Sequence, residues 1–325
     1  MQGELENFQI NSIVLYVSLL TGFFQGVSPK GVALLLNGLP GLRHVVYDTM
    51  SDVLTYVDFN TSESVQPQFG LKTIFFDSME LLSSNHLELV TKLCPNVEWL
   101  SLDTALFYNL EGLGSMPTLR LLRLNYKSRS VDQTVVDFFG VNGHFLNTLH
   151  LIDIKDLHIE DFYLTVGECV NLENLVLVDC SIVPDFWGRT NFRSQRQQQP
   201  ISRSVEHLQL VNLDISPNLL VDFLGLFRDL QILEIDRCEL DLDQMKLLLL
   251  GQPELHTLRC TEWSSPNANS TDLTKLQMEF RSCKLQMSRQ SFVFDDYETQ
   301  RTLAAALLSE YAGFSPLIRF ETVVT

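Results

Sequence analysis

The phrase Leu172-Glu-Asn-Leu175-Val-Leu177-Val-Asp-Cys180 returns farther along the chain as Leu230-Gln-Ile-Leu233-Glu-Ile235-Asp-Arg-Cys238. In both, apolar residues stand at the first, fourth and sixth places. In an extended strand, that spacing sends the fourth and sixth side chains to one face and the residue between them to the other. Four more segments keep the pattern closely: Val97-Glu-Trp-Leu100-Ser-Leu102, Leu119-Arg-Leu-Leu122-Arg-Leu124, Leu146-Asn-Thr-Leu149-His-Leu151 and Val205-Glu-His-Leu208-Gln-Leu210. Weaker copies begin at Leu42, Leu71, Leu255 and Leu273, with edge copies at Leu5 and Leu317.

From Leu42 to Leu273 the starts are spaced by about 26 residues on average, inside the range of leucine-rich repeats. Between the phrases, apolar residues recur at spacings of three and four, as in Leu87, Val90, Leu93 and in Met245, Leu248, Leu249. That is the apolar stripe of a return helix. One strand–helix unit cannot bury its apolar face alone, so the units must stack. The 57 leucines among 325 residues supply the material for such a core. The expectation is an α/β leucine-rich-repeat solenoid of about 11 to 12 repeats, a horseshoe with a parallel concave sheet and outer helices. It forms a single domain over residues 1–325, with a loop insertion at about 184–204.

The segments Leu93-Cys-Pro-Asn-Val97-Glu-Trp-Leu100-Ser-Leu102 and Glu168-Cys-Val-Asn-Leu172 through Cys180 carry a closer likeness. So do Leu233-Glu-Ile235-Asp-Arg-Cys238 and Ser28-Pro-Lys-Gly-Val-Ala-Leu-Leu-Leu-Asn-Gly-Leu-Pro-Gly-Leu42. The pattern resembles the cysteine-containing leucine-rich repeats of F-box proteins and the ribonuclease-inhibitor-like fold. The resemblance implies that Cys180 and Cys238 turn the chain inside the solenoid after their strands. It further implies the substrate-recognition part of an SCF-type ubiquitin ligase, with a cullin-adaptor complex as partner through an F-box lying upstream. No F-box is recognisable ahead of the repeat-like phrase at Leu5.

Charge narrows the partner. With 23 Lys and Arg against 40 Asp and Glu, the net charge is −17. Nucleic acid and anionic membrane are disfavoured, because affinity for phosphate rests on clustered cations. The apolar run Ile13–Phe24 is preceded by Glu4 and Glu6 and by no cation, the wrong polarity for a signal peptide. The expected location is cytoplasmic or nuclear. The six cysteines are far apart and form no C-x-x-C pair, so no metal is expected and all six are read as reduced thiols. No phosphate-binding glycine loop, zinc-protease helix, nucleophile elbow or dinucleotide fingerprint occurs. No cofactor, no catalytic residue and no enzyme activity are expected.

What remains is the sheet face turned away from the helices, carried by the third, fifth and seventh places of each phrase. At the seventh place, Asp48, Asp77 and Asp103 stack on successive strands, a like-charge column suited to a basic partner. Phe75, Trp99 and Leu121 form an apolar diagonal beside it. Farther along, Ile152, Val176, Val178 and Val211 make a second apolar patch, and Arg123 lies between the two. His44, His150 and His207 also fall on outward places, where a solvent-facing polar residue is the plain reading. Exposed aromatic anchors with flanking charge are what a protein-binding hot spot requires. The insertion carries a second candidate, a basic loop with Arg189, Arg193 and Arg196 and no acid between Phe186 and Val205.

These features favour a non-catalytic protein-recognition module that holds a protein target on the concave face. A regulatory protein of the GTPase-activating or inhibitor kind stands as the alternative. It would present an arginine at a loop edge, for which Arg123 and Arg189 are the candidates. A repeat-only scaffold is the third reading.

Overall fold

The computed structural model describes residues 12–14, 28–47, 49–60, 67–76, 82–103, 110–131, 133–184, 204–237, 240–261 and 270–288. All belong to the unit Met1–Gln290. The strands among them are β1 (Ser12–Val14), β2 (His44–Val46), β3 (Thr73–Phe76), β4 (Trp99–Asp103), β5 (Leu121–Arg129), β6 (Thr148–Ile154) and β7 (Leu157–His158). They continue as β8 (Asn174–Val178), β9 (Ile182–Val183), β10 (His207–Val211), β11 (Ile232–Asp236), β12 (Thr257–Thr261) and β13 (Lys284–Ser288). The helices are α1 (Pro29–Gly38), α2 (Met50–Asn60), α3 (Ser84–Leu93), α4 (Gln133–Asn142), α5 (Ile159–Val166), α6 (Pro217–Leu224), α7 (Leu242–Gly251) and α8 (Ser270–Glu279).

Eleven strands form one sheet in the order β1-β2-β3-β4-β5-β6-β8-β10-β11-β12-β13, and every pairing is parallel. Parallel neighbours need a long crossover, and the return helices supply it. The register repeats without slippage between β3 and β13 at the central places. Leu100, Leu122, Leu149, Leu175, Leu208, Leu233, Leu258 and Leu285 sit side by side across successive strands. The first seven of these leucines are fully buried, while Leu285 packs half-buried against the same core. This is the leucine-rich-repeat solenoid expected from the spacing.

One expected copy is displaced, and the phrase at Leu5 lies outside the described residues. At the N-terminal side, the first strand among the described residues is Ser12–Val14, where Ile13 pairs with Val45. At the other side, the phrase at Leu273 is the interior of α8. Its strand is β13, where Lys284 pairs with Thr257 and Leu285 with Leu258. The error has a physical source: Leu273, Leu276 and Met278 fit a strand phrase, while Leu273, Leu276 and Phe280 stand at helical spacings of three and four, and the true phrase opens on a polar residue, Ser282. The edge copy at Leu317 lies outside the described residues.

Local chemistry fixes the ends of the helices. Ser28 accepts the N–H of Gly31 at 3.2 Å and Pro29 opens α1, where its missing N–H costs nothing. Asp241 and Gln244 form a reciprocal capping box on α7, Asp241 Oδ1 accepting the Gln244 N–H at 2.8 Å and Gln244 Oε1 accepting the Asp241 N–H at 2.9 Å. Behind the sheet, the rings of Phe162 on α5 and Phe223 on α6 lie 5.1 Å apart, with Phe227 5.5 Å from Phe223. This aromatic stack joins the repeats on either side of the 184–204 insertion into one core.

Near the end of β6, and directly after β8, β10 and β11, the chain turns through a left-handed residue. Asp153, Asp179, Asn212 and Arg237 all have φ between 51° and 56°, and the first three are types that tolerate this region. The turn leads into a second, narrow ladder. Leu157 and His158 of β7 pair with Ile182 and Val183 of β9, and Ser181 bridges to Asp214. Cys180 lies in this turn, fully buried, its Sγ donating toward the carbonyls of Val178 and Leu151 at 3.3 and 3.6 Å. Cys94, Cys169, Cys260 and Cys283 are likewise buried free thiols; Cys238 lies outside the described residues.

Candidate functional site

The register settles which residues share the sheet face away from the helices. The fifth places run Phe75, Ser101, Arg123, His150, Val176, Gln209, Glu234, Arg259 and Gln286. The third places run His44, Thr73, Trp99, Leu121, Thr148, Asn174, His207, Ile232, Thr257 and Lys284. Asp103 pairs with Asn125, followed by Ile152, Val178, Val211, Asp236 and Thr261. Phe75 is on the outward face, with Ile74 and Phe76 buried beneath it.

Exposure divides this face in two. On β3 to β5 the outward side chains are largely covered: Thr73, Trp99, Ser101, Arg123 and Asn125 are all buried. Trp99 is 8% exposed, so it is not the open anchor that its outward place implies. Its ring meets Phe75 edge to face, with centroids 5.2 Å apart and planes at 70°. Leu121, next in the diagonal, is half-buried. Arg123 is 5% exposed and donates to Ser101 Oγ at 3.3 Å, which is the opposite of an arginine presented at a loop edge. His44 is buried too, its Nδ1 3.2 Å from Thr73 Oγ1. Burial, with Lys72 and Arg43 nearby, lowers its pKa.

From β6 to β13 the face opens. Thr148, His150, Asn174, Val176, Val178, His207, Gln209, Ile232, Glu234, Thr257, Arg259 and Gln286 are all partly exposed. Of the second apolar patch, Val176 and Val178 keep exposed surface while Ile152 and Val211 are buried. Burial of His150, helped by the Arg123 charge, pushes its pKa down to about 4. Asp48 and Asp77 lie outside the described residues, as does the side chain of Asp103, whose backbone closes β4. Arg189, Arg193 and Arg196 of the basic loop also lie outside them.

The sequence reading assigned no role to a polar network at the far end. Glu234 accepts from Arg259 Nη1 and lies 3.7 Å from His207 Nε2. Arg259 Nε donates to Gln286 Oε1 at 2.8 Å. His207 and Arg259 together hold the Glu234 carboxyl below its ordinary range despite its burial. Beside it, Thr261 Oγ1 donates to Asp236 Oδ1 and Arg237 Nε lies 3.7 Å from Asp236 Oδ2. The alternation of charge along the fifth places (Glu234, Arg259) was the available signal. Gln286 and Lys284 were missed because the phrase at Leu273 had taken the place of β13.

Among the described residues, no group of three or more His, Cys, Asp or Glu side chains is placed to hold a metal. No helix among them is long and apolar enough to cross a membrane. No protein-family model and no curated protein matches the sequence. Solved structures to which the chain is similar include the leucine-rich repeat-containing protein LegL7 of Legionella pneumophila, 14% identical over 84% of this chain and 91% of that one, with a TM-score of 0.47. An internalin of Listeria monocytogenes is 13% identical over 80% of this chain and 70% of its own, with a TM-score of 0.46. TLR13, in a complex with single-stranded RNA, is 16% identical over 80% of this chain and 27% of its own, with a TM-score of 0.34.

Proposed function

We propose that the chain is a non-catalytic recognition module that holds a segment of a partner protein along the open part of the inner sheet face. The carrying observation is the strip from β6 to β12, where Val176, Val178 and Ile232 remain partly exposed between Asn174, His207 and Gln209. Apolar side chains ringed by hydrogen-bonding groups on a rigid sheet match the core and rim of a protein interface. Rigid strands also limit the entropy lost on binding. The net charge of −17 favours a target with basic residues, and the column of Asp48, Asp77 and Asp103 is the proposed meeting place for them.

The resemblance to F-box leucine-rich-repeat proteins suggests the finer reading, in which the target is the substrate of a ubiquitin ligase and a cullin adaptor is the second partner. Affinity purification of the tagged chain tests both levels. The double variant Val176→Glu/Val178→Glu is expected to lose the proteins that the unaltered chain recovers, whereas Leu247→Glu on the exposed face of α7 retains them. Equal recovery with the double variant would overturn the assignment of the strip. Recovery of a cullin and its adaptor supports the ubiquitin reading, and their consistent absence removes it.

A further inference from the structure

We infer that the β11–β13 end of this face is a carboxylate-binding subsite, anchored by Arg259, that takes an acidic element of the partner. The inference deepens the recognition reading above and rests on it. Two acids sit at this end, and both are covered. The Glu234 side chain is 13% exposed and bonded by Arg259, and Asp236 is 3% exposed and bonded by Thr261.

The cations, by contrast, face outward. The Arg259 side chain is 42% exposed. Its bonds to Glu234 and Gln286 employ Nη1 and Nε, two of the five donors of a guanidinium. Both hydrogens of Nη2 and the second of Nη1 have no partner among the described residues. A planar guanidinium fixed from two sides presents those donors as a preformed fork, which suits the two oxygens of a carboxylate. Lys284 stands on the neighbouring strand, opposite Thr257 and therefore diagonal to Arg259, about 7 Å away. It is exposed and pairs with no carboxylate among the described residues. This end of an otherwise acidic chain therefore shows a partner two cations over two covered anions.

The test uses the full chain with fluorescein-labelled hexaglutamate, and hexaglutamine as its uncharged counterpart. Fluorescence anisotropy at low ionic strength is expected to show saturable binding of hexaglutamate alone, weakening as salt is added. Arg259→Gln should weaken it at least tenfold. Arg259→Lys, which keeps the charge and loses the fork, should fall between. Lys284→Gln, an exposed site whose replacement leaves the buried network intact, should weaken binding several-fold. Lys246→Gln on α7, whose amine pairs with Glu279, should leave it unchanged. Absence of binding, or equal binding by wild type, Arg259→Gln and Lys284→Gln, would overturn the subsite. If Val176→Glu/Val178→Glu abolishes partner recovery while hexaglutamate ignores Arg259 and Lys284, the subsite falls and the recognition reading stands. If hexaglutamate binding depends on Arg259 while the valine variant recovers every partner, the subsite stands and the strip falls.

Discussion

The side-chain oxygen of Asn142 accepts the backbone N–H of Met116 at 2.7 Å, and its Nδ2 donates to the Gly114 carbonyl at 2.8 Å. Asn142 is fully buried at the end of α4, so one carboxamide satisfies two main-chain groups of the preceding repeat. Gln252, buried after α7, repeats the device by donating to the Leu224 carbonyl at 2.7 Å. Replacing the amide with a hydrocarbon of similar size strands the buried Met116 N–H away from water, at about 1–3 kcal/mol, and removes the partner of the part-buried Gly114 carbonyl, at about 1 kcal/mol more. Urea unfolding of Asn142→Leu should therefore show a loss of about 2–4 kcal/mol. Gln133→Leu, at the exposed start of the same helix, should change stability by less than about 0.5 kcal/mol.

The left-handed turns make a second prediction. Asn212 has φ of 51° and donates from Nδ2 to Asp179 Oδ1 at 2.6 Å, linking consecutive turns. A β-branched residue at this φ meets its own carbonyl, at about 1–2 kcal/mol. Glycine adopts the same backbone freely and loses only an exposed side-chain bond. Asn212→Val should lower the melting temperature markedly, and Asn212→Gly much less. If the two variants melt together, the side-chain bond rather than the backbone conformation decides this turn.

The repeat was legible because its core positions recur at a fixed spacing whatever the neighbours, so Leu71 could be placed in register even though its copy is weak. The copy at Leu273 was misplaced because apolar spacing alone was ambiguous there: Leu273 satisfies both a helix and a strand. The outward columns followed from the register, and the structure pairs Trp99 with Leu121 and Arg123 with His150 as the columns require. Exposure did not follow. Nothing in the phrase around Trp99 or Arg123 reports that a neighbouring strand's Phe75 or Ser101 sits against it. Polar bridges such as Asn142 to Met116 were invisible for the same reason, since they join residues 26 apart in the chain.

His150 supplies a pH dependence. Burial, with Arg123 as the second cause, pushes its pKa down from 6.5 to about 4. The folded state thus holds the ring neutral over a range in which the unfolded chain takes up a proton. By linkage, this contribution is fully present above pH 6.5 and is lost as pH falls toward about 4. Urea midpoints measured at intervals between pH 7 and 4 should fall for the unaltered chain. The His150→Gln variant should show a shallower decline over the same window. An identical slope in the two would mean that other groups carry the acid sensitivity.

The contact between Phe75 and Trp99 supports a prediction that separates packing from binding. The two rings belong to neighbouring strands and meet in the edge-to-face geometry that favours aromatic pairs. A double-mutant cycle with Phe75→Leu and Trp99→Leu should give a coupling of about 0.5–1.5 kcal/mol in urea unfolding. Trp99 Nε1 is buried and has no hydrogen-bond partner among the described residues. Both replacements remove that orphan donor and its desolvation penalty, but Trp99→Phe keeps an aromatic ring against Phe75, so it should cost less than Trp99→Leu. Phe75 keeps part of its surface exposed, and Phe75→Leu should therefore be the milder single change. A coupling near zero would mean that the rings touch without stabilising one another, and a Trp99→Phe variant no more stable than Trp99→Leu would mean that an aromatic ring at this place adds nothing to the packing.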